Sequence, residues 1–253
     1  MFPFVDNDDK NSILIDNPLD KSRKFLRTNI SKSLVDNLLY NERRQKDSIK
    51  LFEISDIYSL KNNEILITKK LSIIGSGRVG KNHRDFSKKI NIKYMENLFQ
   101  KILPNFRFDF KNISRELLDS KIKSEIVYLE IDIEELPEEV LAYKENFTPS
   151  KDFITYKPIS EFPSSIRDIS YLIKDPSKID FLQGLIFDHK DPILRDVFIF
   201  DYYLNKESNE IKMGFRFTFQ SDKRTLKVEE IDDAMNKIIN KTLTIDSIKI
   251  PGT

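Results

Sequence analysis

The chain has 253 residues, enough for one large domain or two ordinary ones, and a net charge of +1, so no overall field points to a nucleic-acid or membrane partner. It has no cysteine and only two histidines, His83 and His189, which excludes disulfides, cysteine nucleophiles and metal sites built from Cys or clustered His. The N-terminus lacks the basic and apolar regions of a signal peptide, and no stretch has the roughly 20 apolar residues of a membrane span. We therefore expect a soluble cytoplasmic protein.

The first half of the chain alternates between helical and strand patterns. Apolar residues recur at helical spacing in residues 30–41 and again in residues 91–103. Thr28 or Ser31 is the candidate N-cap of the first of these helices. Three stretches rich in β-branched and aromatic residues predict strands, namely residues 49–60, 65–77 and 124–136, of which residues 65–77 hold one or two.

The second half begins after residues 137–156, whose mixed composition predicts a linker. Strands are predicted at residues 167–175, 193–204, 211–219 and 245–250. Helices are predicted from a capping box at Ser177 to about His189, and over residues 228–243. The resulting β-α-β-β-α-β order is the split ferredoxin-like plan. In residues 211–219 apolar and polar side chains alternate, which predicts one core face and one polar face.

The run LSIIGSGRVG at residues 71–80 ends in a literal G-x-G-x-x-G. A dinucleotide-binding fingerprint needs a helix that starts at the glycines and an acidic residue about 20 positions further on, after a second strand. No apolar helical period begins before residue 91, and Glu96 lies inside that predicted helix. We therefore interpret the glycines as a strand followed by a turn. No grouping of residues in the chain predicts a catalytic site.

Three groups of residues have a familiar order: 15–41 with 51–58, 88–103 with 127–136, and 156–173 with 215–235. The last is the most specific, because it combines Lys157-Pro158, Phe162-Pro163, Arg167-Asp168 and Arg224-Thr225-Leu226. In this order they resemble the C-terminal portion of the bacterial phenylalanyl-tRNA synthetase beta subunit. The resemblance covers nearly the whole chain but none of the preceding modules of that subunit, so no editing activity is ascribed to these residues.

The resemblance implies an α+β fold in two domains. Residues 1–150 would form a catalytic-like class II synthetase module, an antiparallel sheet with helices that has lost its active site. Residues 156–253 would form a ferredoxin-fold anticodon-binding domain. LFEISDIY at residues 51–58 lacks the arginine that a class II strand offers to ATP, so we expect this chain to be non-catalytic and to bind no cofactor. ATP and Mg²⁺ would bind to the partner alpha subunit.

The resemblance also implies partners. The catalytic alpha subunit would join this chain in a hetero-oligomer of two alpha and two beta subunits, with tRNA bound and with no DNA or membrane partner. The helix at residues 30–41 is the candidate subunit interface, although its apolar residues are equally suited to the chain's own core. The candidate interface residues are Arg27, Leu34, Leu38 and Asn41.

The resemblance places tRNA binding in the second domain. The candidate RNA-binding residues are Lys157, Arg167, Lys212, Arg216 and Arg224. Tyr203 or Phe198 is a candidate for stacking on a base. Residues 156–253 contain 15 basic and 16 acidic side chains, a net charge of −1, so binding must depend on a local basic face. The alternative function is a stand-alone or vestigial RNA-binding or interaction protein that reuses the ferredoxin-like domain.

One departure from the family concerns the last helix. The family has Thr-Asp before it, whereas this chain has Lys227-Val228. We therefore expect the loss of an N-cap, which is worth about 1 kcal/mol.

Overall fold

The computed structural model describes residues 4–5, 12–19, 24–137 and 158–251. The chain divides into two units, Met1–Arg78 with Lys89–Pro149 and Val79–Lys88 with Ser150–Thr253. Each contains a four-stranded antiparallel sheet, which confirms the predicted α+β class. The predicted linker lies almost entirely outside the described residues.

The first unit is built on a sheet of order β3-β4-β6-β5. Its elements in chain order are β1 Phe4–Val5, β2 Phe25–Leu26, α1 Ser31–Arg43, β3 Ser48–Lys61, β4 Glu64–Gly77, α2 Ile92–Ile102, β5 Lys111–Ile113 and β6 Ile126–Asp132. One 3-10 turn, Ile133–Glu135, follows β6. The predicted strands and helices of this half are confirmed within a few residues at each end.

The two longest strands, β3 and β4, form one hairpin that pairs without interruption from Ser48↔Gly77 to Lys61↔Glu64. The connection is the two-residue turn Asn62-Asn63, and both residues have positive φ, 52° and 63°. Asparagine tolerates this left-handed conformation better than most residues, and two such residues form the turn that matches strand twist. The turn therefore fixes the register of the hairpin.

Helix α1 packs on the first sheet and forms its core. Ile30, Leu34 and Leu38 are buried against residues of the sheet that include Ile74 and Ile126. Neither predicted N-cap forms a cap, because the Ser31 hydroxyl donates to Asn29 and the helix begins after Ile30 without a side-chain cap. A carboxylate from β6 replaces it, since the Ile30 amide donates to Glu130 Oε2 at 2.9 Å.

The second unit has the ferredoxin-like order predicted from the sequence. Its elements are β7 Ser165–Ile173, α3 Ile179–Phe187, β8 Leu194–Asn205, β9 Glu210–Phe219, α4 Val228–Thr242 and β10 Ile248–Lys249, and the sheet order is β10-β7-β9-β8. The predicted capping box at Ser177 is wrong. A 3-10 turn, Pro176–Lys178, precedes α3, and the Asp175 carboxylate accepts a hydrogen bond from the Ser177 amide.

The core of the second unit lies between its sheet and the two described helices, α3 and α4. On β9 the alternating residues Met213, Phe215, Phe217 and Phe219 are all buried, which confirms the predicted core face. The buried Tyr171 hydroxyl and Thr242 Oγ1 lie 3.0 Å apart, so neither polar group is left unpaired in the core. The opposite surface of this sheet carries no helix among the described residues of the unit and is called the open face.

Candidate functional site

Four rows of side chains cross the open face. Strand register and alternation define them as Tyr203, Lys212, Leu172 and Lys249; then Asp201, Gly214 and Ser170; then Phe198, Arg216 and Asp168; then Asp196, Thr218 and Ile166. Phe200 sits at a β-bulge between the second and third rows. The open face therefore combines aromatic, cationic and anionic groups.

Val79–Lys88, here called the inserted segment, contacts the third and fourth rows and Phe200. The Phe86 ring is 7% exposed, and its centroid lies 5.7 Å from that of Phe198 and 5.5 Å from that of Phe200. The Arg216 guanidinium carbon lies 4.6 Å from the Phe86 ring centroid. Phe198, Phe200 and Arg216 therefore form a ring site, and Phe86 fills it. These contacts place the inserted segment in the second unit, whereas the sequence interpretation included it in the first domain.

An ion pair and a ring contact also join the inserted segment to β8. Lys81 Nζ lies 2.9 Å from Asp196 Oδ2, and the His83 ring centroid lies 5.6 Å from that of Tyr202. Within the segment, the Val79 amide donates to the Lys88 carbonyl at 3.0 Å, and the Phe86 amide donates to the Asn82 carbonyl at 2.8 Å. The segment is therefore a hydrogen-bonded loop with a defined shape.

Arg216 is oriented from the sheet as well as by Phe86. Its Nε and Nη2 donate to the two carboxylate oxygens of Asp168 at 2.8 and 2.6 Å, and Asp168 is its register partner on β7. A two-point bond of this kind fixes the plane of a guanidinium group. Asp168 is thus paired with Arg216 across the sheet, whereas its sequence neighbour Arg167 lies near Asp232.

Two further predicted RNA-binding residues are held by carboxylates of α4. Arg167 Nη2 lies 3.3 Å from Asp232, and Arg224 forms a two-point ion pair with Glu230. The hydrogen bond from Arg224, and then that from the Lys227 amide, lower the pKa of Glu230 to about 2. Because this pKa is depressed, the stabilisation is present above the ordinary value of 4.5 and is lost as the pH falls towards 2. Glu230 thus caps the helix start that lacks a capping residue at position 227.

The first row of the open face is left uncovered by these contacts. Tyr203 is 61% exposed, and Lys212 and Lys249 are exposed and form no ion pair with any described residue. Lys212 lies directly opposite Tyr203, and Leu172 lies between the two lysines. We call Tyr203, Lys212, Leu172 and Lys249 the end row. Lys157, also predicted to bind RNA, lies outside the described residues.

The residues predicted for the subunit interface lie mainly inside the first unit. Leu34 and Leu38 are 1% and 0% exposed in its core, and Arg27 is 1% exposed beneath α1. Asn41 donates its side-chain amide to the Asn37 carbonyl on the same helix. Of the two interpretations of the apolar positions on this helix, the structure shows the core one.

An exposed apolar surface lies instead on the β3–β4 hairpin. One face of it carries five large apolar residues that are 37–72% exposed: Phe52, Ile54, Leu60, Ile65 and Ile67. We call them the hairpin stripe. Sequence analysis missed it, although the signal was present, since Phe52 and Ile54 alternate with Leu51 and so make both faces of β3 apolar.

The other face of the same sheet carries paired charges beneath α1. Arg27 Nη2 lies 2.7 Å from Glu53 Oε1, and a second hydrogen bond joins Arg27 to the Ser55 hydroxyl. Both charged side chains are at least 88% buried. Lys70 lies on β4, two residues before Ser72, which is the register partner of Glu53. Its Nζ lies 3.0 Å from Asp132 Oδ1. Both of these cations on the first sheet are therefore neutralised by carboxylates of their own unit.

On this charged face, Glu130 accepts hydrogen bonds from three groups. Its Oε2 accepts hydrogen bonds from Ser72 Oγ at 3.1 Å and from the Tyr128 hydroxyl at 2.5 Å, besides the amide that starts α1. Burial, and then the hydrogen bond to Glu130, raise the pKa of the Tyr128 hydroxyl well above its usual value. Tyr128 therefore stays protonated and donates to this carboxylate.

The glycines Gly75 and Gly77 of the G-x-G-x-x-G motif allow close packing of the chain on itself. Gly77 has φ +89°, and a Cβ on it would lie 2.1 Å from the Asp47 carbonyl oxygen. A Cβ on Gly75 would lie 3.2 Å from the Ile90 side chain. No helix starts among residues 78–91, so no helix N-terminus faces a phosphate here. The prediction of a strand followed by a turn is confirmed.

Other classes of site find no support among the residues that the structure describes. No group of three or more His, Asp or Glu side chains there is arranged to hold a metal ion. No helix in that part of the chain is long and apolar enough to cross a membrane.

Comparison with known proteins covers both units. Residues 1–130 match the family described as the phenylalanyl tRNA synthetase beta chain CLM domain, and residues 160–245 match the ferredoxin-fold anticodon binding domain. Similar proteins include the chloroplastic phenylalanine–tRNA ligase beta subunit of Porphyra purpurea, 26% identical over 90% of this chain and 36% of that protein. The corresponding subunits of Carboxydothermus hydrogenoformans and Clostridium acetobutylicum are 27% and 25% identical over 90% and 94% of this chain, and over 32% of each relative.

An anticodon-binding ferredoxin fold that follows a synthetase module defines a component of the aminoacyl-tRNA synthetase class. More particularly, the chain belongs to the phenylalanyl-tRNA synthetase beta chain family. It spans about a third of the length of the curated relatives named here.

Proposed function

We propose that this chain is a non-catalytic portion of a phenylalanine–tRNA ligase, which docks the catalytic alpha subunit through its first unit and binds tRNA through its second. The observation that carries the proposal is that residues 1–130 match the beta chain family and residues 160–245 match the anticodon binding domain. ATP and Mg²⁺ would then be bound by the partner, in an assembly of two copies of each chain. The non-catalytic role is supported by the first sheet, where Arg27 and Lys70 are already paired with carboxylates.

The hairpin stripe is the proposed docking surface. Five large apolar side chains on one face of a hairpin are unusual for a surface that stays in water, since such patches commonly mark interaction sites. The family indicates the class of partner, because the relatives named above are beta subunits. The helix that sequence analysis favoured for this role keeps its leucines in the core.

Changing Ile67 to glutamate is expected to weaken the complex with the alpha subunit from the same source about 100-fold. Burying an unpaired charge in an apolar contact costs roughly 3 kcal/mol or more. The measurement is co-expression of the two chains followed by size-exclusion chromatography with mass determination, and titration of the purified chains.

The matched control is Leu66→Glu. Leu66 is 50% exposed on the same hairpin but points to the other face, so the identical change should leave the complex nearly intact. Equal losses in both variants would remove the hairpin stripe from the interface. Failure of the unaltered chains to associate would favour the alternative of a stand-alone RNA-binding or interaction protein.

The end row is the proposed core of the tRNA-binding surface. Residues 156–253 are slightly acidic overall, so their attraction for phosphate must be local. The end row places two exposed lysines beside an exposed tyrosine, the combination that holds a backbone and stacks a base. Arg167 and Arg224 are secondary candidates, because their carboxylate partners on α4 compete with phosphate for them.

Lys212→Glu is expected to weaken tRNA binding about tenfold and to reduce the slope of log affinity against log salt by about 1, because one phosphate contact is lost. Tyr203→Ala should weaken binding about 5-fold to 150-fold, since one stacked base contributes about 1–3 kcal/mol. Fluorescence anisotropy with labelled tRNA at several salt concentrations measures both effects.

Lys237→Glu on α4 is the control, since it makes the same change of net charge on the other side of the sheet. If Lys237→Glu weakens binding as much as Lys212→Glu, the attraction is a property of the whole unit and the end row has no special role.

A further inference from the structure

The ring site differs from an ordinary sheet surface because it is prepared on three sides for a flat ring. Two aromatic rings and one guanidinium plane surround Phe86 at centroid distances of 4.6–5.7 Å. Arginine planes and aromatic faces are the groups on which proteins stack unpaired bases. The chemistry of the site therefore fits a nucleobase as well as a phenyl ring.

Two features of the sheet position Arg216 and Phe200 independently of the inserted segment. Asp168 holds Arg216 from the sheet side through two hydrogen bonds. Gly214 lets Phe200 lie directly on the strand, because a Cβ at this position would be only 2.8 Å from the Phe200 ring. Both features belong to the sheet itself, so the site would persist if Phe86 left it.

We propose that the ring site is a stacking site for an unpaired RNA base, that the inserted segment keeps it closed, and that RNA on this face is thereby confined to the end row. This inference rests on the proposed RNA-binding role of the second unit. Phe86 belongs to the same chain as the ring site, so its effective concentration there is high. RNA at micromolar concentration therefore does not displace it from the site. The hydrogen-bonded shape of the segment adds to this advantage.

The experiment measures the binding of an unstructured oligouridylate of about ten nucleotides to the whole chain by fluorescence anisotropy at fixed salt. Phe86→Ala is expected to tighten binding at least fivefold, because two aromatic faces and the Arg216 plane become accessible. Adding Phe200→Ala should remove most of the gain. Phe181→Ala, which removes a 59% exposed phenylalanine on α3, should leave the affinity unchanged.

A second variant covers the case in which Phe86→Ala disturbs folding. Lys81→Ala breaks the exposed contact with Asp196 and leaves every aromatic ring in place. It also removes a positive charge, so a gain of about twofold in oligouridylate affinity would run against the electrostatic trend. A gain in both variants supports the closed site, and affinities equal to that of the unaltered chain in both would overturn it.

Different results would overturn the closed ring site and the RNA-binding role of the second unit. If the unaltered chain binds tRNA through the end row but Phe86→Ala and Lys81→Ala change nothing, only the closed ring site is overturned. If neither the unaltered chain nor the variants bind tRNA or oligouridylate, the RNA-binding role of the second unit is overturned with it.

Discussion

Glu53→Ala is expected to lower the free energy of unfolding of the first unit by about 3–5 kcal/mol, because it leaves a buried arginine without its counter-charge. Arg27 is 1% exposed and its only carboxylate partner within 4 Å among the described residues is Glu53, at 2.7 Å. The measurement is urea unfolding followed by far-ultraviolet circular dichroism, with hydrogen exchange of α1 peptides to assign the loss to this unit.

An exposed ion pair of the same unit provides the control. Arg43 and Asp119 have side chains that are 60% and 96% exposed, so Arg43→Ala should cost no more than about 1 kcal/mol. The double change Arg27→Met with Glu53→Leu should recover much of the stability, since an apolar pair of similar size avoids the burial of charge. A Glu53→Ala loss as small as that of Arg43→Ala would mean that water reaches Arg27.

Gly77→Ala is expected to be at least as damaging, with a loss of about 4 kcal/mol or more. At φ +89° an alanine is strained, and its Cβ would lie 2.1 Å from the carbonyl oxygen and 2.8 Å from the carbonyl carbon of Asp47. Both are backbone atoms that cannot rotate away, and the same carbonyl accepts a hydrogen bond from the Arg78 amide at 2.6 Å. Urea unfolding of the whole chain measures the effect.

The control is Gly184→Ala in the middle of α3, where no atom beyond the neighbouring residues and the backbone of the helix itself lies within 4 Å of the added Cβ. Alanine favours a helix over glycine by about 0.5–1 kcal/mol, so this variant should be unchanged or slightly more stable. If both variants unfold at the same urea concentration, the backbone at Gly77 rearranges and the motif is not required there.

The second unit could be predicted well from its sequence because its pattern is local. Met213, Phe215, Phe217 and Phe219 alternate with polar residues, and this alternation alone defines a core face. The caps of the helices were harder to predict. The amide at the start of α1 donates to Glu130, a residue of β6, and the amide at the start of α4 donates to Glu230, in the first turn of that helix.

The candidate site could be predicted only in part, because it depends on contacts between distant residues. Arg167, Arg216 and Arg224 look alike in the sequence, yet each is paired with a carboxylate that only the fold brings near. Phe198 was a reasonable candidate for base stacking, and nothing in the local pattern near residue 86 indicates that a phenylalanine there covers it. Burial of Leu34 and Leu38 was one of two equal options, because periodicity does not say which partner an apolar face meets.

The hairpin of β3 and β4 has a mechanical consequence. β6 pairs with β4 only from Lys70 to Ser76, so the six residues from Glu64 to Lys69 continue for about 20 Å with no third strand on that side among the described residues. A two-stranded ribbon is only marginally stable by itself in water. The far end of this hairpin therefore takes much of its order from whatever covers it, and assembly would complete the folding of the chain.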